Sequence, residues 1–101
     1  MFNLDEYLKQ HDLVIVQFGL KTCNPCHVLK AKIEDYIKGN SQLEYIYIDL
    51  EEFKSMAFQM GIMQAPTIIV YFYGKEVMRR AGVFSLDEML AKLEDYLALL
   101  D

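Results

Sequence analysis

The sequence predicts an α/β sandwich: helices on both faces of a four-stranded mixed sheet, with elements in the order αβαβαββα. Three observations carry that expectation. Residues 13–18 (Leu-Val-Ile-Val-Gln-Phe) are apolar on both alternating faces except at Gln17, the composition of a central strand covered from both sides. From Cys23 onward the apolar period changes to that of a helix. Residues 67–73 form the strongest strand run in the chain, and the Gly74-Lys75 turn after it points to a hairpin. The pattern is read as three parallel strands extended by one antiparallel hairpin strand.

Each element has its own justification. Asn3 followed by Glu6 resembles a capping box with Asn in the Ser/Thr place, and Leu4, Tyr7 and Leu8 give an apolar side to a helix over about 4–10, ended by His11-Asp12. After strand 13–18 and the residues Gly19-Leu20-Lys21-Thr22, Cys26, Leu29, Ile33 and Ile37 share one helical face. Pro25 suits that helix's first turn, and Gly39-Asn40 suggests a left-handed stop. In residues 43–48, Leu43, Tyr45 and Tyr47 alternate with Glu44, Ile46 and Ile48, a second strand that ends at Asp49. Residues 51–60 carry Phe53, Met56, Ala57 and Met60 at helical spacing, closed by Gly61. After the hairpin, Ser85 and Glu88 form a capping box for a last helix with the stripe Leu86, Met89, Leu90, Leu93, Leu97 and Leu100.

The 101 residues, 53% hydrophobic and 25% charged, fit a single domain over 1–101. A chain of this size buries roughly 60–70% of its unfolded surface, enough to fold without metal or disulfide staples. Its two cysteines are then free for chemistry. Ten Lys/Arg against fifteen Asp/Glu give a net charge of −5 with no basic run, which argues against nucleic-acid or anionic-membrane binding. The start lacks the basic and apolar regions of a secretory signal, so a cytoplasmic protein is expected. No apolar run approaches the ~18–20 residues of a membrane span.

Cys23-Asn24-Pro25-Cys26-His27 concentrates the chemistry. Taken literally it matches the C-x-x-C-H pattern of covalent haem attachment, with methionines available as axial ligands, although a buried strand feeding the motif is poor context for haem. As a zinc site it is half complete, because four Cys/His ligands are needed and a metal would have to bridge subunits. As a redox dithiol it needs one sulfur at a helix N-terminus, where unpaired N–H groups stabilise thiolate, and a second sulfur one turn on. The spacing of Cys23 and Cys26 meets that need, with Cys23 as nucleophile and Cys26 on the inward stripe. Two ordinary buried cysteines would leave the strand, motif and helix arrangement unexplained.

The chain resembles the thioredoxin family across nearly its whole length. Strand 13–18 runs into Cys23-Asn24-Pro25-Cys26. The segment Gly61-Ile62-Met63-Gln64-Ala65-Pro66-Thr67 resembles the family's cis-proline loop, Gly74-Lys75-Glu76-Val77 its hairpin, and Ala81-Gly82 the glycine beside its active site. The resemblance implies a disulfide reductase with Cys23 and Cys26 as catalytic pair and no cofactor beyond that dithiol. It also implies protein disulfides as substrates, a thioredoxin-reductase-like electron donor, and a substrate segment lying along Ala65, Pro66 and Gly82, where the Ala65 backbone is free to pair. Thr22 stands where the family has Trp, which removes an apolar flank. Gln17 stands where the family keeps a buried carboxylate, and Tyr45 where it keeps a lysine. A neutral amide is no base near neutral pH, so resolution by Cys26 is the expected slow step. The alternative is a thioredoxin-fold binding module that turns over poorly. His27, four residues after Cys23, is a candidate to lower the Cys23 pKa as imidazolium, or a plain solvent-facing residue. The family's first strand is missing or vestigial, so strand 43–48 should be a sheet edge, leaving a monomer with a weak strand-to-strand dimer open to it.

Overall fold

A computed structural model describes residues 2–100. Helices and strands alternate as α1 (Leu4–Lys9), β1 (Leu13–Gly19), α2 (Asn24–Ile37), β2 (Leu43–Asp49), α3 (Lys54–Gln59), β3 (Thr67–Phe72), β4 (Lys75–Ala81) and α4 (Leu86–Leu97). The four strands form one sheet in the order β2-β1-β3-β4, with β2 at an edge as expected. Every residue of β1 is buried. Val14, Val16 and Phe18 pack with Leu4, Leu8 and Ala57 on the face covered by α1 and α3. Leu13 and Ile15 pack with Ile33, Met89 and Leu93 on the face covered by α2 and α4.

One expectation about the sheet is corrected. β1 and β2 are parallel, but β3 runs antiparallel to β1, pairing Phe18 with Thr67 and Leu13 with Phe72. The reason is the length of α3. Six helical residues span about 9 Å, whereas a seven-residue strand spans about 23 Å, so α3 does not return the chain to the far end of the sheet. β3 therefore starts at the end where β1 and β2 finish. That reversal brings residues 64–67 level with the end of β1.

Smaller departures have local causes. α3 begins at Lys54 because Asp49 draws residues 51–53 into turns, its carbonyl accepting from Glu52 and Phe53 and its carboxylate from the Glu51 N–H at 2.8 Å. Gly39 is not in the left-handed region. Asn40 closes α2 instead, donating from its backbone to the Ile37 carbonyl (2.9 Å) and from Nδ2 to that of Tyr36 (3.1 Å). The hairpin turn is Tyr73-Gly74 rather than Gly74-Lys75, with φ of 51° and 82°, because Phe72 already pairs with Lys75. The caps Asn3 and Ser85 accept from the Glu6 and Glu88 N–H groups at 3.0 and 3.1 Å.

Tyrosines tie helices to sheet and to each other. Tyr7 donates to Glu44 (3.2 Å) and Tyr36 to Glu94 (2.6 Å). Burial first, then the neighbouring carboxylate, pushes both phenols up to about 12, and burial with Glu76 nearby does the same to Tyr71. A phenol whose folded pKa exceeds its unfolded value of 10.0 holds its proton more tightly when native. Its contribution to stability is complete below pH 10 and is lost as pH rises toward 12. Phenolate absorbance should therefore rise later in native than in denatured protein, with the unfolding midpoint in denaturant falling across that window. Coincident titration of both forms would contradict this.

Candidate active site

β1 delivers the chain to Gly19, beyond which Leu20 turns it into α2, its carbonyl accepting from the Cys23 N–H at 3.2 Å. Cys23 is the N-cap of α2: its backbone is extended, its carbonyl accepts from the His27 N–H (3.2 Å), and its Sγ accepts from the Cys26 N–H (3.2 Å). Pro25 occupies the first turn and gives up no hydrogen bond there. Thr22, Asn24 and Pro25 are exposed, Cys23 is half-buried and Cys26 is fully buried. The two sulfurs are joined in a disulfide with their Cα atoms 5.2 Å apart. One sulfur thus faces outward at the positive end of a helix and the other inward.

Gln17 lies beneath this turn with no exposed surface. Its Nε2 donates to the Cys26 carbonyl at 2.8 Å and its Oε1 accepts from the Tyr45 hydroxyl at 2.6 Å. Burial, reinforced by Glu34 and Tyr47, holds the Tyr45 phenol well above its ordinary range, so the pair carries no charge near neutral pH. Gln17 is thus a buried neutral amide with its nitrogen and its oxygen each hydrogen-bonded.

Two residues that the sequence reading did not single out complete the floor. A Cβ on Gly19 would collide with the Tyr47 ring and lie 3.1 Å from the Cys26 Cβ, so only glycine lets β1 pass that close. Tyr47 donates to the Leu20 carbonyl (3.2 Å), lies nearly parallel to the His27 ring with centroids 6.2 Å apart, and has Lys30 Nζ 5.2 Å from its centroid. The alternation that marks Tyr45 as inward-facing marks Tyr47 as well, and was the available signal. The ring hydrogen bond of His27 goes to the Lys21 carbonyl at 2.7 Å, where its Nε2 must donate. His11 lies away from the site, against the Tyr7 ring.

The loop before β3 supplies the opposite wall. The Ala65–Pro66 bond is cis, Pro66 is buried, and Ala65 is half-buried. The Pro66 carbonyl accepts from the Gly82 N–H at 2.9 Å, and Thr67 Oγ1 donates to the Gln64 carbonyl at 2.7 Å. Gly82 has φ 70°, and a Cβ there would press on Gln64 Oε1. Pro25, Leu29, Pro66, Gly82 and Phe84 line one shallow groove. Ala65 belongs instead to a neighbouring depression with Met63 and Phe58, which are 83% and 78% exposed. Among the described residues no three His, Cys, Asp or Glu side chains gather as metal ligands, and no helix is long and apolar enough to cross a membrane.

A C-x-x-C disulfide capping a helix, fed by a buried strand and faced by a proline loop, defines the class of fold and site. The thioredoxin family profile matches residues 2–95. The chain is 30% identical over 84 residues to thioredoxin H8 of Arabidopsis thaliana, covering 83% of this chain and 56% of that protein. It is 28% identical over 83 residues to thioredoxin Asp f 28 of Aspergillus fumigatus, covering 79% and 77%. The oxidised thioredoxin of Plasmodium falciparum superposes with TM-score 0.77 at 29% identity, covering 93% of this chain and 89% of that one. The chain belongs to the thioredoxin family.

Gly19→Ala should lower stability by about 1–3 kcal/mol, the usual result of overpacking, whereas Gly39→Ala, with open space around it, should be close to neutral. Denaturant unfolding of both variants checks this; equal midpoints would mean that the Tyr47 ring yields without cost.

Proposed function

We propose that the protein is a thiol–disulfide oxidoreductase that reduces disulfides of other proteins. The observation that carries this reading is the asymmetry of the pair: Cys23 caps α2 with a half-buried sulfur that receives an N–H, and Cys26 is wholly buried one turn on. In the reduced protein the unpaired N–H groups and the helix dipole favour thiolate at Cys23. That thiolate attacks a substrate disulfide, forming a Cys23–substrate bond and expelling one substrate thiolate. Cys26 then loses its proton and attacks the Cys23 sulfur, releasing the second substrate thiol and forming Cys23–Cys26. A thioredoxin-reductase-like donor returns two electrons to the pair. The substrate segment lies against Ala65, Pro66 and Gly82, with Thr22, Asn24 and Pro25 framing the sulfur. His27 acts on this turn through the Lys21 carbonyl it binds. The reading carries with it a reducing compartment, the cytoplasm, and a monomer.

A second reading draws on Gln17. With an amide where a base would stand, the protein could bind partners through the same surface and turn over poorly. Reduction of insulin disulfides with a dithiol reductant separates the two. The native protein should accelerate it, Cys23→Ser should fall to the uncatalysed rate, and Cys26→Ser should accumulate a mixed disulfide through Cys23. Native and Cys23→Ser proteins that both match the uncatalysed rate would favour the binding module.

A further inference from the structure

We propose that Tyr45 is a positioning residue for the resolving cysteine, holding the Gln17 amide in the one orientation that clamps the Cys26 carbonyl. The proposal rests on the reading of Cys23 and Cys26 as attacking and resolving sulfurs. A carbonyl oxygen only accepts, so the nitrogen of Gln17 must face Cys26 and its oxygen must face away. The Tyr45 hydroxyl is the donor that this outward oxygen meets, at 2.6 Å, while Nε2 reaches the Cys26 carbonyl at 2.8 Å. The two hydrogen bonds form one chain from β2 through β1 to the first turn of α2. Tyr45 is reached by residue alternation: Gln17 pairs with Tyr47 across the β1–β2 ladder, and Tyr45, two residues earlier, shares its face.

Cys26 has no surface of its own to guide its approach to a mixed disulfide on Cys23, so its aim depends on how its backbone is held. Cys23 is held separately, by the N-cap and the Leu20 turn. Loss of the Tyr45 hydroxyl should therefore slow resolution and spare attack. A residue that merely supports the fold would slow both together.

Reduced protein mixed with dithiobis(nitrobenzoate) reads the two steps apart. Cys23 attacks the reagent, its S–S bond breaks, and one coloured nitrothiobenzoate leaves while the other half stays on Cys23. Cys26 yields its proton to solvent and attacks the Cys23 sulfur, forming Cys23–Cys26 and releasing the second nitrothiobenzoate. The dithiol loses two electrons and the reagent gains them. Tyr45→Phe should leave the first phase within twofold and slow the second about tenfold, the kinetic equivalent of one net hydrogen bond. In the same variant, NMR should show the Gln17 side-chain amide protons losing their protection from solvent exchange.

Tyr45→Phe leaves a buried oxygen without its donor, so Tyr45→Phe/Gln17→Leu serves as the second variant, in which both polar partners are gone. Its second phase should be no slower than the slower of Tyr45→Phe and Gln17→Leu, each measured alone, because the two residues act as one unit. An unchanged second phase in folded Tyr45→Phe, equal slowing of both phases, or additive losses in the double variant would overturn the assignment. Two clear native phases without insulin reduction would remove the reductase reading and leave the Tyr45 result standing on the phases themselves.

Discussion

A strand buried on both faces has no solvent with which to satisfy a polar side chain, and β1 carries Gln17 near its end. Leaving such an amide unpaired costs about 1–3 kcal/mol per group. The surroundings of the site can be read as the answer to that constraint. Tyr45 on β2 satisfies the oxygen, and the first turn of α2 satisfies the nitrogen. The same amide thereby ties the central strand, its edge neighbour and the cysteine-bearing helix to one another.

Two further constraints meet there. Gly19 ends β1 without a side chain, which allows the Tyr47 ring to lie under the turn and Cys26 to face inward. The shortness of α3 starts β3 at the sheet end where β1 finishes, so the Pro66 loop stands across from Pro25. The site is thus assembled from the end of β1 and the start of α2, consecutive in the chain, and from the beginning of β3, about forty residues further on. A dithiol placed this way has one sulfur accessible at the helix N-terminus and one protected by the core, which is the arrangement that stepwise exchange requires.

Much of this was legible in the residues. Periodicity identified all eight elements because each buries a definite face: both faces for β1, one stripe for α4. The spacing of Cys23 and Cys26 and, by family resemblance, the proline loop pointed to the candidate site, and β2 was expected at the edge. Strand direction was not legible, because periodicity is identical for parallel and antiparallel strands; the length of α3 was the clue. Gly39 fitted a left-handed stop by residue type, but Asn40 supplied the hydrogen bonds. Tyr45 was read only as the place of an absent lysine. Its bond to Gln17 depends on the register of β1 against β2, which alternation alone does not fix.

The central claim is the division of labour between the two sulfurs, and timed alkylation of the reduced native protein tests it most directly. Iodoacetamide followed by peptide mass spectrometry should find Cys23 modified first, with Cys26 protected until the protein is unfolded, because one sulfur caps a helix and the other has no exposed surface. Modification of Cys26 at a rate equal to or above that of Cys23 would contradict the account.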